Sequence, residues 1–367
     1  MKIVYLSDAD LPTRAAHGVH IMKMCEAFSK THDVELLTYI YYNKGEKSVG
    51  AIFDFYNVSH SFKIKRLTFV KFKGSKYFFS FLKACYALIR WADVYYSRDF
   101  YTAMFLVNMG KQVVHEFHSP LKMKAGVLGW MTKRFFRKVK NVTVISNALK
   151  HQMLKDFNLP ASKVIVAHDA SVVPTTTDKI DLGAGFHIGY VGHLYVGKGM
   201  EIVGKLAHCM TNVQFHVVGG NQNDIESWKA KHGYFNLHYH GFIQQGSLSN
   251  YINAFDICLL PNQKIVRIWN DGKTNISDFT SPLKMFEYMA HQKPIIASDL
   301  AVLKEVLNND NSILCNPENI NEWQNAIHTL VNNKKLKQSI SLQAYDDFIN
   351  NYTWEKRSHR ILKEIHE

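Results

Sequence analysis

The stretch HIGYVGHLYVGKGMEIVGKLAHCM, residues 187–210, changes its periodicity part-way along. HIGYVG is a short apolar run of strand type. From Lys198 on, the apolar residues of KGMEIVGKLAHCM recur at helical spacing. A strand that enters a helix through a glycine loop is half of a βαβ unit, and such units build parallel sheets covered by helices on both faces. The loop also carries chemistry. Backbone N–H groups left free at a helix start stabilise phosphate, and Gly192 lets a ligand come close to the backbone. Lys198 adds a full positive charge in what reads as the first turn. An ordinary βα turn with a surface lysine has the same sequence, so the loop alone leaves both readings open.

The alternation continues on both sides. Downstream, VQFHVVGG is a strand ending in Gly219 and Gly220, followed by a helix near 222–231, strand LHYHGF, helix LSNYINAF and strand DICLLPN. A helix from SPLKMFEYMA, strand PIIAS, helix LAVLKEVL and strand SILCN complete that half. Upstream, KIVYL (2–6) is a strand and GVHIMKMCEAFSK (18–30) a helix with Ile21, Met24, Cys25 and Phe28 on one face. DVELLTY, ADVYYS, QVVHEF, NVTVIS and KVIVAH follow as strands, with helices between most of them. The pattern pauses at HDASVVPTTTDKIDLGAGF (168–186), which reads as a linker. The chain is therefore expected to be α/β, with Rossmann-like domains at 1–177 and 178–349. The final segment, 350–367, carries a helix around WEKRSHRILKEI that comes after the second domain is complete and packs back on the first.

Composition narrows the function. The chain has 367 residues, 47% hydrophobic and 20% charged, enough for two domains with a core each. A net charge of +13 points to nucleic acid, an anionic membrane surface or phosphorylated ligands. No RNP-type motif, basic tail or zinc-finger spacing supports nucleic acid. Five scattered cysteines without CxxC argue for a reducing compartment. MKIVYLSDAD is a strand and a polar loop rather than a signal peptide, and no run of about 18 apolar residues exists. A cytoplasmic protein without a membrane span is the expectation. No GxGxxG follows the first strand, which argues against a Rossmann dehydrogenase.

TSPLKMFEYMAHQKPIIASD (280–299) holds one carboxylate, Glu287, among apolar and small residues. Thr280 or Ser281 can cap the helix, and Pro282 suits its first turn. Met285, Phe286 and Met289 want burial, and a carboxylate is costly to bury unpaired. Glu287 could accept two hydrogen bonds from a vicinal diol such as a ribose. A salt bridge to Lys284 or Lys293 is the alternative. Two glycine-bearing strand ends line up with a site at the carboxyl edge of a parallel sheet.

These residues resemble the retaining GT-B-fold glycosyltransferases of the family-four (glycosyl transferases group 1) type. IGYVGHLYVGKGMEIV resembles the family's phosphate loop, with His193 where arginine is commoner. FHVVGG, HGFIQQGSLSNYINAFDICLLPN and SPLKMFEYMAHQKPIIASDLAVLKEVL match the following landmarks in order. DLPTRAAHGVHIMKMCEAF resembles the loop before the first helix and keeps one of two glycines, Gly18. The resemblance implies two domains facing across a cleft and a metal-independent, hexosyltransferase-like enzyme. It would move a sugar from a nucleoside diphosphate sugar, by family frequency a UDP-sugar, to a lipid-linked or cell-surface glycan in polysaccharide biosynthesis. It implies that Glu287 holds the ribose and that Lys198 neutralises the diphosphate. Backbone N–H groups of Gly192, His193, Ser281 and Leu283 would assist, with Pro282 between the last two and Gly219 and Gly220 in the same donor site. His118 would lie by the transferred sugar, and Gly18 and His20 on the acceptor side. As a loop residue among 19 histidines, His118 also has a purely structural reading.

The chain departs from the family at Phe279, where a second glutamate is common; Asp278 stands beside it. A nucleotide-sugar epimerase on the same fold, or a non-catalytic glycan-binding or scaffold subunit, are the alternatives. The Asp-x-Asp of SDAD (7–10) reads as polar loop. His115 with His118, and His238 with His240, lack the carboxylate partners of a zinc site, so neither metal nor cofactor is expected. The basic surplus gathers in 63–86 and 121–140, where Lys and Arg alternate with Phe, Trp, Leu and Met. In the second segment Val127, Trp130, Met131 and Phe135 fall near one side, with Lys133, Arg134, Arg137 and Lys138 around them. Docking of that segment on an anionic membrane surface, at the inner face, is one expectation; a core helix with a solvated basic face is the other.

Overall fold

The structure, a computed structural model, describes residues 1–41, 48–266, 275 and 277–366. It divides into two units, Met1–His168 with Trp354–Glu367, and Asp169–Thr353. The division falls at 168/169, at the start of the stretch read as a linker, rather than at 177/178.

In the first unit β1 (Lys2–Asp10), α1 (Ala16–Ser29), β2 (Asp33–Tyr41), α2 (Val49–Tyr56), β3 (Lys63–Phe69), α3 (Ser75–Ile89) and β4 (Val94–Ser97) lead on. α4 (Phe100–Asn108), β5 (Val113–Phe117), α5 (Gly126–Lys138), β6 (Asn141–Val144), α6 (Asn147–Phe157) and β7 (Val164–Val166) follow. The strands form one parallel seven-stranded sheet in the order β3-β2-β1-β4-β5-β6-β7. Ile3, Val4, Tyr5 and Leu6 of β1 are fully buried, as expected of a central strand covered on both faces. Three expectations are corrected here. SDAD is not a loop, because β1 runs on to Asp10. Residues 63–69, read as part of a basic amphipathic stretch, form β3. This edge strand pairs only with β2, so its Lys and Arg can face solvent. Lys83 is not a surface base either: its Nζ is buried 3.0 Å from Asp99 Oδ2 and lies over the Tyr39 ring.

In the second unit β8 (His187–Val191), α7 (Met200–Cys209), β9 (Gln214–Val218), α8 (Gln222–Lys231), β10 (Leu237–Gly241) and α9 (Gln245–Ala254) come first. β11 (Ile257–Leu260), α10 (Leu283–Ala290), β12 (Ile295–Ser298), β13 (Ile313–Cys315), α11 (Ile320–Asn332) and α12 (Lys334–Asn351) complete it. The parallel sheet has the order β10-β9-β8-β11-β12-β13, so the chain switches direction across the sheet between β8 and β11. LAVLKEVL forms only a single 3-10 turn, Leu303–Glu305, and not the expected helix. The last helix, α13 (Trp354–His366), belongs to the first unit and packs on α1.

Candidate active site

β8 ends at Val191, at the switch point of the second sheet, where open parallel sheets form crevices. Gly192 follows with φ +143°, and a Cβ on Gly219 would stand 2.1 Å from the Gly192 carbonyl oxygen. Glycine at both positions is therefore what lets the loops after β8 and β9 touch. The Gly192 N–H donates to Val218 O at 2.8 Å, and Gly220 packs against Leu194. The helix after this loop starts at Met200, so Lys198 lies in the loop and not in the first turn. It is half-buried, and burial pushes its amine down to about 8.

α10 meets the same loop. Tyr288 is fully buried, and its hydroxyl accepts the Val191 N–H at 2.8 Å. The cap position is Pro282, without a side-chain cap, so neither Thr280 nor Ser281 caps this helix. Ser281 Oγ instead accepts the Asp169 N–H at 2.8 Å. Leu283 opens the helix and Lys284 follows, with Nζ 3.7 Å from the Tyr190 ring centroid. Tyr190 in turn donates to His193 O at 2.7 Å, which fixes the loop. Burial, then Lys198 and Lys284, lower the His193 imidazole.

Glu287 lies one turn beyond Lys284. Burial raises its carboxyl to about 7, against a hydrogen bond from Gln245 and the charge of Lys284. The salt-bridge alternative does not hold for Lys293, whose Nζ donates to the carbonyls of Asn253 and Phe255, each at 2.8 Å. Glu287 is half-buried and has no ion pair of its own among the described residues, with Lys284 acting on it only through its charge. Asp278 is exposed and takes a hydrogen bond from Ser277 Oγ at 3.2 Å.

A second cluster lies at the carboxyl end of β5 in the first unit. Glu116 is buried, and its Oε1 is bonded to His118 Nε2 at 2.5 Å and to the Arg357 guanidinium at 2.9 Å, with His20 Nε2 standing 2.9 Å away. Its Oε2 accepts from the Tyr96 hydroxyl. Burial works to raise the Glu116 carboxyl, but Arg357 and both histidines outweigh it and hold it well below the carboxylate range. Burial, then Arg98, lower His118 to about 4 against the pull of Glu116. The expectation that His118 has no carboxylate partner is therefore corrected. The ligand-type atoms of His20, Glu116 and His118 lie within 4.8 Å of one another, a spacing a cation could use. Arg357 already supplies positive charge on that oxygen. Gly18 has a packing reason: a Cβ there would stand 2.3 Å from the Tyr56 hydroxyl.

Two family models divide the chain between them. The one described as Glycosyltransferase Family 4 matches residues 17–170, and the one described as Glycosyl transferases group 1 matches residues 185–333. The chain belongs to the group 1 glycosyltransferases of GT-B fold. Solved structures share that fold over the full length. HepE of Anabaena in complex with UDP is 14% identical, with TM-score 0.73 and 100% of both chains covered. Sucrose-phosphate synthase of Thermosynechococcus elongatus is 15% identical, with TM-score 0.74, covering 99% of this chain and 97% of the other. A mutant of S. aureus TarM, in complex with Fondaparinux, alpha-GlcNAc-glycerol and UDP, is 11% identical, with TM-score 0.72 and 100% of both chains covered. No curated protein matches the sequence.

In this glycosyltransferase the second unit gathers Gly192, His193, Lys198, Gly219, Gly220, the start of α10 and Glu287 around one strand end. His20 and His118 meet on Glu116 in the first unit, with ring centroids 4.8 Å apart. Sequence reading missed Glu116, Lys284 and Arg357. Glu116 carried a signal, since it is an acid inside the apolar strand run QVVHEF. Arg357 carried none, because it reaches Glu116 across 241 residues of chain.

Proposed function

We propose that the protein transfers a sugar from a nucleoside diphosphate sugar to a lipid-linked or cell-surface glycan, with retention of anomeric configuration. The observation that carries this reading is Glu287, a carboxylate without an ion pair among the described residues, one turn from Lys284, which in turn feels the charge of Lys198 from the loop after β8. A half-buried acid of this kind is suited to the two hydroxyls of a ribose, and Lys198 to the diphosphate that follows. N–H groups of His193, Ser281 and Leu283 add donors. UDP is the first choice of nucleotide because HepE and TarM are described in complex with it. Negative charge grows on the diphosphate as the sugar leaves, so fixed cations and helix N–H groups lower the barrier more than they strengthen ground-state binding.

His118 is assigned to the transferred sugar, with Gly18 and His20 on the acceptor side. His118 is kept neutral and tied to Glu116, so it serves as a hydrogen-bonding partner and not as a covalent nucleophile. The leaving phosphate takes the acceptor proton. Metal independence is part of the proposal, supported by the guanidinium of Arg357 on Glu116.

The acceptor side is also proposed to dock on anionic lipid, with the enzyme peripheral at the cytoplasmic face. No acidic residue lies between Asp54 and Asp93, or between Glu116 and Asp156. α3 turns Phe78, Phe81, Leu82 and Ile89 to solvent, and α5 exposes Val127 and Trp130. Phe135, read as part of the lipid-facing side, is fully buried. No described helix is long and apolar enough to span a membrane. Each Lys or Arg near an anionic surface contributes about 1 kcal/mol, decaying within about 8 Å at physiological salt.

Transfer is tested with labelled UDP-sugars and a lipid extract, reading product anomery by NMR; an inverted product refutes retention. Conversion of the donor without transfer indicates an epimerase, and donor binding without turnover a non-catalytic subunit. Docking is tested by liposome sedimentation. Phe81→Ser with Trp130→Ser, and Lys133→Glu with Arg137→Glu, should each release the protein from anionic vesicles. Equal binding to neutral vesicles refutes the docking surface.

A further inference from the structure

Lys284 has no place in the sequence reading beyond a salt bridge that the structure does not form. It is 9% exposed, and its Nζ has no hydrogen-bond partner. Buried ammonium groups are normally paired, because burial without a partner is costly. This one rests on the face of Tyr190, 3.7 Å from the ring centroid. It also points at the loop backbone: a Cβ on Gly192 would stand 3.0 Å from Nζ. Lys198 reaches the same place, close enough to depress the Lys284 amine further after burial has done so. His193 stands beside both lysines. The acid in reach, Glu287, acts on Lys284 only as a weaker, opposing influence.

A buried ammonium without a hydrogen-bond partner, within electrostatic reach of a second lysine and turned to the backbone of a glycine loop, is placed for an anion. We propose that Lys284 and Lys198 form a two-lysine clamp on the diphosphate of the donor, with Lys284 reaching it across Gly192 from α10. The inference rests on the reading of this crevice as the nucleotide-sugar site and adds to it a second cation from a different element. The geometry explains three features together. Gly192 has no side chain, which leaves the space in front of Nζ open. Tyr190 holds the Lys284 Nζ over its ring and fixes the loop through its bond to His193 O. Glu287 lies one turn further along the same helix, so α10 would present an ammonium to the phosphates and a carboxylate to the ribose in the order a nucleoside diphosphate needs.

A dianion between the lysines also changes their protonation. Without it, burial and mutual repulsion hold Lys284 well below the usual lysine range, and burial holds Lys198 at about 8. A bound diphosphate opposes these influences. Binding should therefore take up protons, and Lys284 should account for part of that uptake.

The test is calorimetry on the full chain with UDP, GDP, ADP, uridine and inorganic pyrophosphate. Wild type, Lys284→Met, Lys284→Arg and Lys198→Met would be compared at pH 8 in buffers of different ionisation enthalpy. Loss of one charged hydrogen bond predicts that Lys284→Met weakens UDP and pyrophosphate by about 10- to 100-fold. Uridine should be unchanged, proton uptake smaller, and Lys284→Arg should keep most of the affinity. UDP affinity unchanged in Lys284→Met overturns the clamp. An equal loss for UDP and uridine also overturns it, since that is what a structural lysine on Tyr190 would give. If wild type binds neither UDP, GDP, ADP nor pyrophosphate, the reading of the crevice as a nucleotide site falls, and the clamp with it. If wild type binds UDP and Lys284→Met binds it equally, only the clamp falls.

Discussion

Replacing Glu287 with glutamine should make the free protein more stable and its nucleotide binding weaker. Burial lifts the Glu287 carboxyl from 4.5 to about 7. Between those values the folded chain keeps a proton that the unfolded chain has released. Stability therefore falls as pH rises from about 4.5 to about 7, and the penalty is complete above that. A difference of this size corresponds to at most about 3 kcal/mol. The Glu287→Gln side chain would keep the shape and carry no charge, so it escapes the penalty. For a unit of this size the gain is roughly 6–12 °C in Tm at pH 8, shrinking toward zero near pH 5. The same change removes a charged acceptor from the ribose, where each hydrogen bond is worth about 1.5–3 kcal/mol, so UDP affinity should drop at least about tenfold. The assay is thermal denaturation of both proteins at pH 5, 6, 7 and 8, with and without UDP. A stability difference that does not change with pH would refute the buried-carboxylate argument. A pH-dependent gain with undiminished UDP binding would refute only the ribose role.

Arg357→Met should destabilise the first unit by about 3–5 kcal/mol, because it leaves Glu116 buried with its main counter-charge gone; urea denaturation followed by hydrogen exchange in β5 and α13 would show it. Acid should unfold the protein early. Burial holds His115 and His216 near 3 and His118 near 4, so the unfolded chain takes up protons below about 6.5 that the folded chain refuses. Each contributes a loss of up to about 1.4 kcal/mol per pH unit on the way down, and a flat stability profile from pH 6.5 to 4.5 would contradict this.

The fold was legible wherever period and punctuation agreed. HIGYVG, VQFHVVGG and PIIAS are apolar, short and bounded by glycine or proline, and each is a strand of the second sheet. KIKRLTF failed the same reading because four of its seven residues are polar. A lysine-rich sequence can still be a strand when one edge and part of a face meet water, as at β3. LAVLKEVL failed in the opposite sense. Its helical spacing is real, but Leu303 and Val302 are buried on a single turn whose neighbours Leu300 and Leu307 close it by backbone hydrogen bonds. Periodicity reports which side is buried and leaves open how many turns do the burying.

The site was legible in part for a related reason. Glu287 could be singled out because one acid on an apolar helix conflicts with its surroundings within a few residues of sequence. Lys284 stands three residues away and carries the same conflict, yet it read as the partner that would resolve the acid's. Helical spacing puts residues i and i+3 on one side, which is why a salt bridge was the natural inference. The side chains diverge instead. Lys284 turns to Tyr190 and Gly192 on the β8 side, while Glu287 takes its hydrogen bond from Gln245 of α9. Two opposite charges that decline to pair at this spacing, both at a buried strand end, are better placed for a ligand that carries both a diol and negative charge than for each other. The sequence contained both residues; only the directions of their side chains separate a salt bridge from two ends of a binding site.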